Sequence, residues 1–256
     1  RTGWPDAKDV ALIRERVRIQ SVEHACLEPG YGHVRIKSFQ ERVGRDLHTA
    51  LTSLAETCVS TPGSTMRGLV LDLRNNPGGL LDEAVRVADE FLWEGDIVTT
   101  EGRNHRPLAR QKAHPKDTQP GYPIIVLVND GTASASEIVA GALQDHGRAL
   151  VMGTATFGKG SVQTIMELED GSGLKLTIAR YFTPKGRSIQ ELGITPDVRV
   201  EAAALPDGDG EKPADPASFR EKDLKRHLRN TALPQPGKPV VPGGAALDGQ
   251  LKTALD

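Results

Sequence analysis

Residues Gly68-Leu-Val-Leu-Asp-Leu73 form a short apolar run broken only by one aspartate, and Arg74-Asn-Asn-Pro-Gly-Gly79 follows it directly. Such a run, bounded by Asn, Pro and Gly, reads as a buried strand entering a turn. Past the turn, Leu81, Ala84, Val85, Ala88, Phe91 and Leu92 recur at helical spacing. The unit is strand, glycine loop, helix. It returns as Tyr122-Pro-Ile-Ile-Val-Leu-Val128, Asn129-Asp-Gly-Thr-Ala-Ser134 and Ala135 to His146, and Arg148-Ala-Leu-Val-Met152 supplies the next strand. Alternating β and α elements predict an α/β fold with a mostly parallel sheet wrapped by helices.

Upstream, charged and β-branched residues interleave from Ala7 to Val22, and Tyr31-Gly-His-Val-Arg-Ile-Lys37 alternates as a strand does. Phe39, Val43, Leu47, Leu51 and Leu54 predict one amphipathic helix across Ser38 to Thr57, ended by Pro62-Gly63. Downstream, Ser161 to Leu168 and Gly173 to Phe182 flank the Glu169-Asp-Gly-Ser-Gly173 turn as a hairpin. The polar stretch Asn104 to Gln119 reads as a surface loop. Beyond Val200 the periodicity ends. Pro206 to Pro216 and Pro234 to Gly244 are rich in Pro and Gly, with a short helical candidate, Ser218 to Asn230, between them. No repeat at solenoid periods is present.

The 256 residues suit one large domain or a core with an appendage. With 32 basic against 34 acidic residues, the net charge of −2 gives no electrostatic footprint for nucleic acid. No run approaches the roughly 18 apolar residues of a membrane span. Cys26 and Cys58 lack metal-ligand spacing, so one disulfide or two buried thiols are both open. The chain opens at Arg1 without a signal peptide, as a mature form or a fragment would.

Ser134 sits between an apolar strand and a helix that starts just after it, where unpaired N–H groups carry the positive end of the helix dipole. A hydroxyl there could attack a carbonyl while the Ala135 N–H stabilises the oxyanion. Thr132, Ser134 or Ser136 would equally serve as a plain helix cap. A serine nucleophile needs a base, and among the seven histidines the nearest, His146, stands twelve residues on, about 18 Å along a continuous helix. Lys159, in Thr156-Phe-Gly-Lys-Gly-Ser-Val-Gln163, is the other candidate, since a lysine taken out of water there could act as a neutral general base. Gln163 could orient its amine. The bland alternative is a lysine snorkelling to solvent. The Asn75-Asn-Pro-Gly-Gly79 loop lies at the same sheet edge in a parallel sheet, and its N–H groups would complete an oxyanion hole.

A rival reading comes from Gly153-Thr-Ala-Thr-Phe-Gly-Lys159, which fits seven positions of a phosphate-binding loop, with Asp72 as a magnesium-site residue. The next residue is Gly160 where Ser or Thr should hold the metal. A strand also follows where a helix should cradle phosphates.

Taken together, Leu71-Asp-Leu-Arg-Asn-Asn-Pro-Gly-Gly79, Gly131-Thr-Ala-Ser-Ala-Ser-Glu137, Thr156-Phe-Gly-Lys-Gly-Ser-Val-Gln163, Tyr181-Phe-Thr-Pro-Lys-Gly-Arg-Ser-Ile-Gln190 and Gly193-Ile-Thr-Pro-Asp197 resemble the carboxyl-terminal processing, or tail-specific, proteases. This is a Ser/Lys serine peptidase family, and the matching blocks span most of residues 25 to 200. The resemblance implies a ClpP/crotonase-like protease core over 23–200. It implies Ser134 as nucleophile, Lys159 as base 25 residues later, Gln163 as its positioner, and the backbone N–H groups of Ala135, Gly78 and Gly79 as oxyanion hole. Asp145, credited with a function in some relatives, would lie about 16 Å along the helix from Ser134 and reads as structural. Relatives usually carry a PDZ domain, of which residues 1–22 resemble only the last strands, and residues 201–256 form a linker and arm. The resemblance further implies unstructured protein substrates, a possible adaptor, self-assembly and a periplasmic or envelope location, with no cofactor or metal. A latent core acting as a scaffold is the alternative.

Overall fold

The computed structural model describes residues 20–59, 65–116, 118–201 and 219–230. In chain order the strands are β1 Val22–Glu28, β2 Tyr31–Ile36, β3 Gly68–Asp72, β4 Asp96–Glu101, β5 Pro107–Lys112, β6 Ile124–Val128, β7 Leu150–Gly153, β8 Ser161–Glu167, β9 Gly173–Phe182 and β10 Val198–Arg199. The helices are α1 Val43–Thr57, α2 Leu81–Asp89 and α3 Ala135–Asp145. The larger sheet has the order β1-β2-β3-β6-β7-β10, parallel throughout except for the antiparallel edge strand β1. A second, antiparallel sheet has the order β5-β4-β9-β8.

The central strands read as continuous apolar runs because both faces of the sheet are covered. Leu69 and Leu71 of β3, Val126 and Val128 of β6 and Val151 of β7 pack with Leu47 and Leu51 of α1, Val87 of α2 and Ile138 and Leu143 of α3. The intervening Val70, Leu127 and Met152 face the other way, against Val200, Leu27 and Val198. The helices therefore cover one face and a smaller apolar cluster the other. Every residue of α3 except Gln144 is buried, so this helix is an internal element rather than an amphipathic one.

Several elements differ from expectation. The strands β1, β4 and β10 are not among those read from the sequence. The stretch expected as a loop from Asn104 holds β5, which pairs with β4 and is almost wholly exposed, so no apolar alternation marks it. The first helix begins at Val43 rather than Ser38, because the Phe39 amide donates to Gly78 O and the Leu80 amide to Phe39 O, a bridge that uses the residues before the helix. The helical candidate in the tail is a single tight turn, Glu221–Asp223, its hydrogen bonds turned onto the core. The strand stretch from Ala7 to Ile19 and the Pro/Gly-rich segments after Val200 lie outside the described residues, within which no helix is long and apolar enough to cross a membrane.

Candidate active site

Because β3, β6 and β7 are adjacent and parallel, the loops leaving all three emerge at one edge of the sheet. The β3 loop is built first. Asp72 ends the strand buried, and Arg74 forks onto its carboxylate through Nε at 2.9 Å and a terminal nitrogen at 2.7 Å. Burial alone would raise this carboxyl, but the hydrogen bonds and charge of Arg74, with the His33 ring 3.5 Å away, hold it well below the usual range. A carboxylate committed to an arginine in this way is no magnesium ligand. With β8 a strand where a phosphate-cradling helix should start, the nucleotide reading is corrected on both counts.

Asn76 is fully buried and pegs the loop: its Nδ2 donates to Ile36 O at 2.8 Å, and its Oδ1 accepts the Gly78 N–H at 2.9 Å. Its carbonyl accepts from the Ala133 amide at 2.9 Å and the Ser136 hydroxyl at 3.0 Å. The β3 loop is thereby fastened to the turn that carries Ser134. Gly78, at φ 96°, packs so closely that a Cβ there would stand 2.8 Å from Ser134 Cβ and 2.9 Å from the Ala135 nitrogen. Only glycine permits that approach. Thr132 closes the turn by donating its hydroxyl to Leu73 O at 2.8 Å.

Ser134 itself adopts φ 57° and ψ −116°, a conformation that costs a non-glycine residue energy and persists where its surroundings over-determine it. What over-determines it is Glu137. This side chain is fully buried, and its Oε2 accepts the Ser134 N–H at 2.7 Å and the Lys159 N–H at 2.9 Å. Its Oε1 accepts the Gly158 N–H at 2.7 Å and the Thr156 hydroxyl. The Ser134 and Lys159 backbones thus meet on one carboxylate oxygen, within two hydrogen-bond lengths of each other. Burial pushes the Glu137 carboxyl up to about 7, against the downward pull of those four donors.

The structure brings Ser134, Ala135, Gly78 and the Lys159 backbone together, and leaves other expectations looser. Lys159 is half-buried, and among the described residues its ammonium makes no hydrogen bond or ion pair. Gln163 lies exposed on β8 and donates to Thr177 Oγ1 at 3.5 Å. The Gly78 N–H is engaged by Asn76. Among the described histidines, those with polar contacts face Asp72, Glu90, Glu101, Asp89, the Asp96 carbonyl or Glu191. Asp145 closes the far end of α3, accepting the Lys185 N–H at 2.9 Å and pairing with Arg187. A groove of about 730 Å³ lies on the antiparallel sheet against Leu176, Ile178, Phe182 and Leu228, away from Ser134. Sequence reasoning assigned no role to Glu137 or Asn76. The signal for Glu137 was present, since Ser134 and Glu137 stand in the spacing of a capping box.

Residues 30–200 match the family model described as Peptidase family S41. The chain is 47% identical over 201 residues to a carboxy-terminal-processing protease of Bartonella bacilliformis, covering 78% of this chain and 45% of that one. It is 38% identical over 215 residues to the chloroplastic C-terminal processing peptidase of Tetradesmus obliquus, covering 78% and 44%. It spans somewhat under half the length of these relatives. Among solved structures, the photosystem II D1 C-terminal processing protease superposes with a TM-score of 0.64 at 38% identity, over 73% of this chain and 50% of that one. Mature CPAF shares the fold at a TM-score of 0.54 and 15% identity, over 66% of this chain and 46% of that one. The α/β core, the arrangement of its loops and these matches agree: the chain belongs to peptidase family S41.

Proposed function

We propose that this chain is a serine-type carboxyl-terminal processing endopeptidase in which Ser134 is the nucleophile and Lys159 the general base. The observation that carries the reading is the one Glu137 oxygen accepting both the Ser134 and the Lys159 amides, so that both residues are set out from a common point. The neutral Lys159 amine takes the hydroxyl proton as Ser134 Oγ bonds to the scissile carbonyl carbon. The carbonyl oxygen becomes an oxyanion beside the Ala135 N–H, at the positive end of the α3 dipole. Collapse of that intermediate expels the amine, which takes the proton from Lys159, and water then releases the acyl group from Ser134 by the same route. The motif assigns Gln163 to orient the amine and the Gly78-Gly79 backbone to the oxyanion. The Gly78 amide serves only once its bond to Asn76 is exchanged for one to substrate.

The similarity to carboxy-terminal-processing proteases supports substrates cut near their C-termini, and a peptide chain must be unstructured to reach a serine held this close to a loop. An adaptor and self-assembly belong to the same reading. So does a periplasmic or envelope location, which the Cys26–Cys58 disulfide supports, since such bonds persist in oxidising compartments. The test is cleavage of an unfolded protein such as β-casein by wild type, Ser134→Ala and Lys159→Ala, with products identified by mass spectrometry. Both variants should be inactive yet folded. Retained turnover in Lys159→Ala would remove the dyad.

A further inference from the structure

The loop that carries Lys159 runs without regular structure from Thr154 to Gly160, and Glu137 grips it from one side only. On its other side lies the described piece of the tail, residues 219–230. Arg220 Nε donates to Thr156 O at 3.0 Å and a terminal Arg220 nitrogen to Leu192 O at 2.7 Å, while the Glu221 N–H donates to Phe157 O at 3.1 Å. Two consecutive carbonyls of the lysine loop are therefore taken by two consecutive residues of the tail.

Gln190 completes the connection. It is fully buried, and its Oε1 accepts the Gly160 N–H at 3.1 Å, the residue directly after Lys159. Its Nε2 donates to Glu221 Oε1 at 3.0 Å and to Leu228 O at 2.8 Å. Glu191 extends the same contact. Its amide donates to Gly158 O at 2.8 Å, and its carboxylate holds His227 and the Asn230 N–H, the latter at 2.6 Å. Glu191 sits at φ 63°, and its backbone lies 2.9 Å from where a Gly158 Cβ would be, so loop, glycine and tail are packed as one unit.

Resting on the peptidase reading above, we propose that Arg220–Asn230 is a clasp that fixes the position of Lys159, with Arg220, Glu221 and Gln190 as positioning residues. They reach Lys159 through its neighbours' backbone. A misplacement of about 1 Å at a catalytic group can cost on the order of a hundredfold in rate, and without the tail the Thr156 and Phe157 carbonyls lose these partners and Gln190 loses the contacts that fix its hold on Gly160.

The test compares Arg220→Ala, Glu221→Ala and Glu221→Gln in the whole chain. With a fluorogenic unstructured peptide, the two alanine variants should lose roughly tenfold to a hundredfold in kcat with KM within about twofold. Glu221→Gln keeps an acceptor for Gln190 and should stay near wild type. Independently of activity, amide exchange of residues 154–160 should quicken in both alanine variants, with protection of β3 and α3 unchanged. Unchanged exchange at 154–160 in the Arg220→Ala/Glu221→Ala double variant would overturn the clasp. So would a Glu221→Gln loss equal to that of Glu221→Ala. Should wild type cleave nothing, the peptidase reading fails while the exchange experiment still decides the clasp.

Discussion

Glu137 holds four donors on two oxygens, and an ionised carboxylate is the form with lone pairs enough for all of them. Protonated, one oxygen carries a hydrogen that faces donors, and the shared grip on Ser134 and Lys159 slackens. Since burial raises this carboxyl to about 7, activity should rise with pH through that value. Stability should move the other way. Between the ordinary value of 4.5 and about 7, the native state keeps a proton that the unfolded chain has released. Folding is then favoured at the acid end and loses this contribution as pH climbs. Opposite slopes of kcat and of melting temperature across that window are the expected result. A lysine base also makes activity grow toward alkaline pH, and a limb near neutrality would ordinarily suggest histidine. Carboxyl ionisation absorbs little heat whereas imidazole and amine ionisation absorb much, so a limb that stays put with temperature belongs to Glu137. Glu137→Gln, which points an amide nitrogen at two N–H groups, should remove that limb and lower kcat about a hundredfold. An unchanged limb would refute the assignment. Ser134 was singled out by the strand-loop-helix grammar, and its pairing with Lys159 by the resemblance to the processing proteases; the structure adds that the two backbones meet on Glu137. Glu137 was only half legible: its spacing from Ser134 is written in the sequence, whereas its hold on Gly158 and Lys159 exists only once two loops meet.

At the scale of elements, α3 ties the site to the rest of the fold. Ser134 opens it and Asp145 closes it, with almost every side chain between them buried. Asp145 accepts from the Lys185 amide and pairs with Arg187, which fastens the turn after β9 to the end of the helix, remote from the reacting atoms. Its removal should therefore cost stability and spare chemistry. Asp145→Ala leaves a backbone N–H and a guanidinium short of a partner, and about 1–3 kcal/mol of destabilisation is expected. Thermal unfolding should show the lowered midpoint while kcat at 25 °C remains within a few-fold of wild type. A loss of rate as deep as that of Ser134→Ala would make Asp145 catalytic after all. The elements that could be read ahead of the structure are those whose burial forces a pattern: β3, β6, α2 and α3 carry apolar runs or stripes, interrupted at few buried positions, among them Asp72, Glu83, Ser136, Glu137 and Asp145. β5 could not be read, because Pro107-Leu-Ala-Arg-Gln-Lys112 is held by its ladder to β4 and buries almost nothing. The tail could not be read for a related reason. Its order comes from hydrogen bonds to Thr156, Gln190 and Glu191, and no periodicity records a distant partner.

For the molecule as a whole, the edge of the large sheet is the place where a covalent tie is useful. Among the described residues β1 is an edge strand that pairs only with β2, and its residues from Glu23 to Cys26 are exposed, so little apolar burial holds it there. Cys26 on that strand is joined to Cys58 at the end of α1, closing a span of 32 residues. The bond connects the sheet edge to the helix layer. By loss of chain entropy in the unfolded state, a loop of this length is worth about 3–4 kcal/mol. Neither cysteine contacts the Ser134, Glu137 or Lys159 loops, so the gain should be one of stability alone. Reduction with dithiothreitol, or Cys26→Ser with Cys58→Ser, should lower the melting temperature by several degrees while leaving cleavage at 25 °C near the oxidised value. The same experiment bears on location. A protein that gains this much from a disulfide keeps it only where thiols are oxidised, and a midpoint insensitive to reductant would remove the structural support for an envelope enzyme.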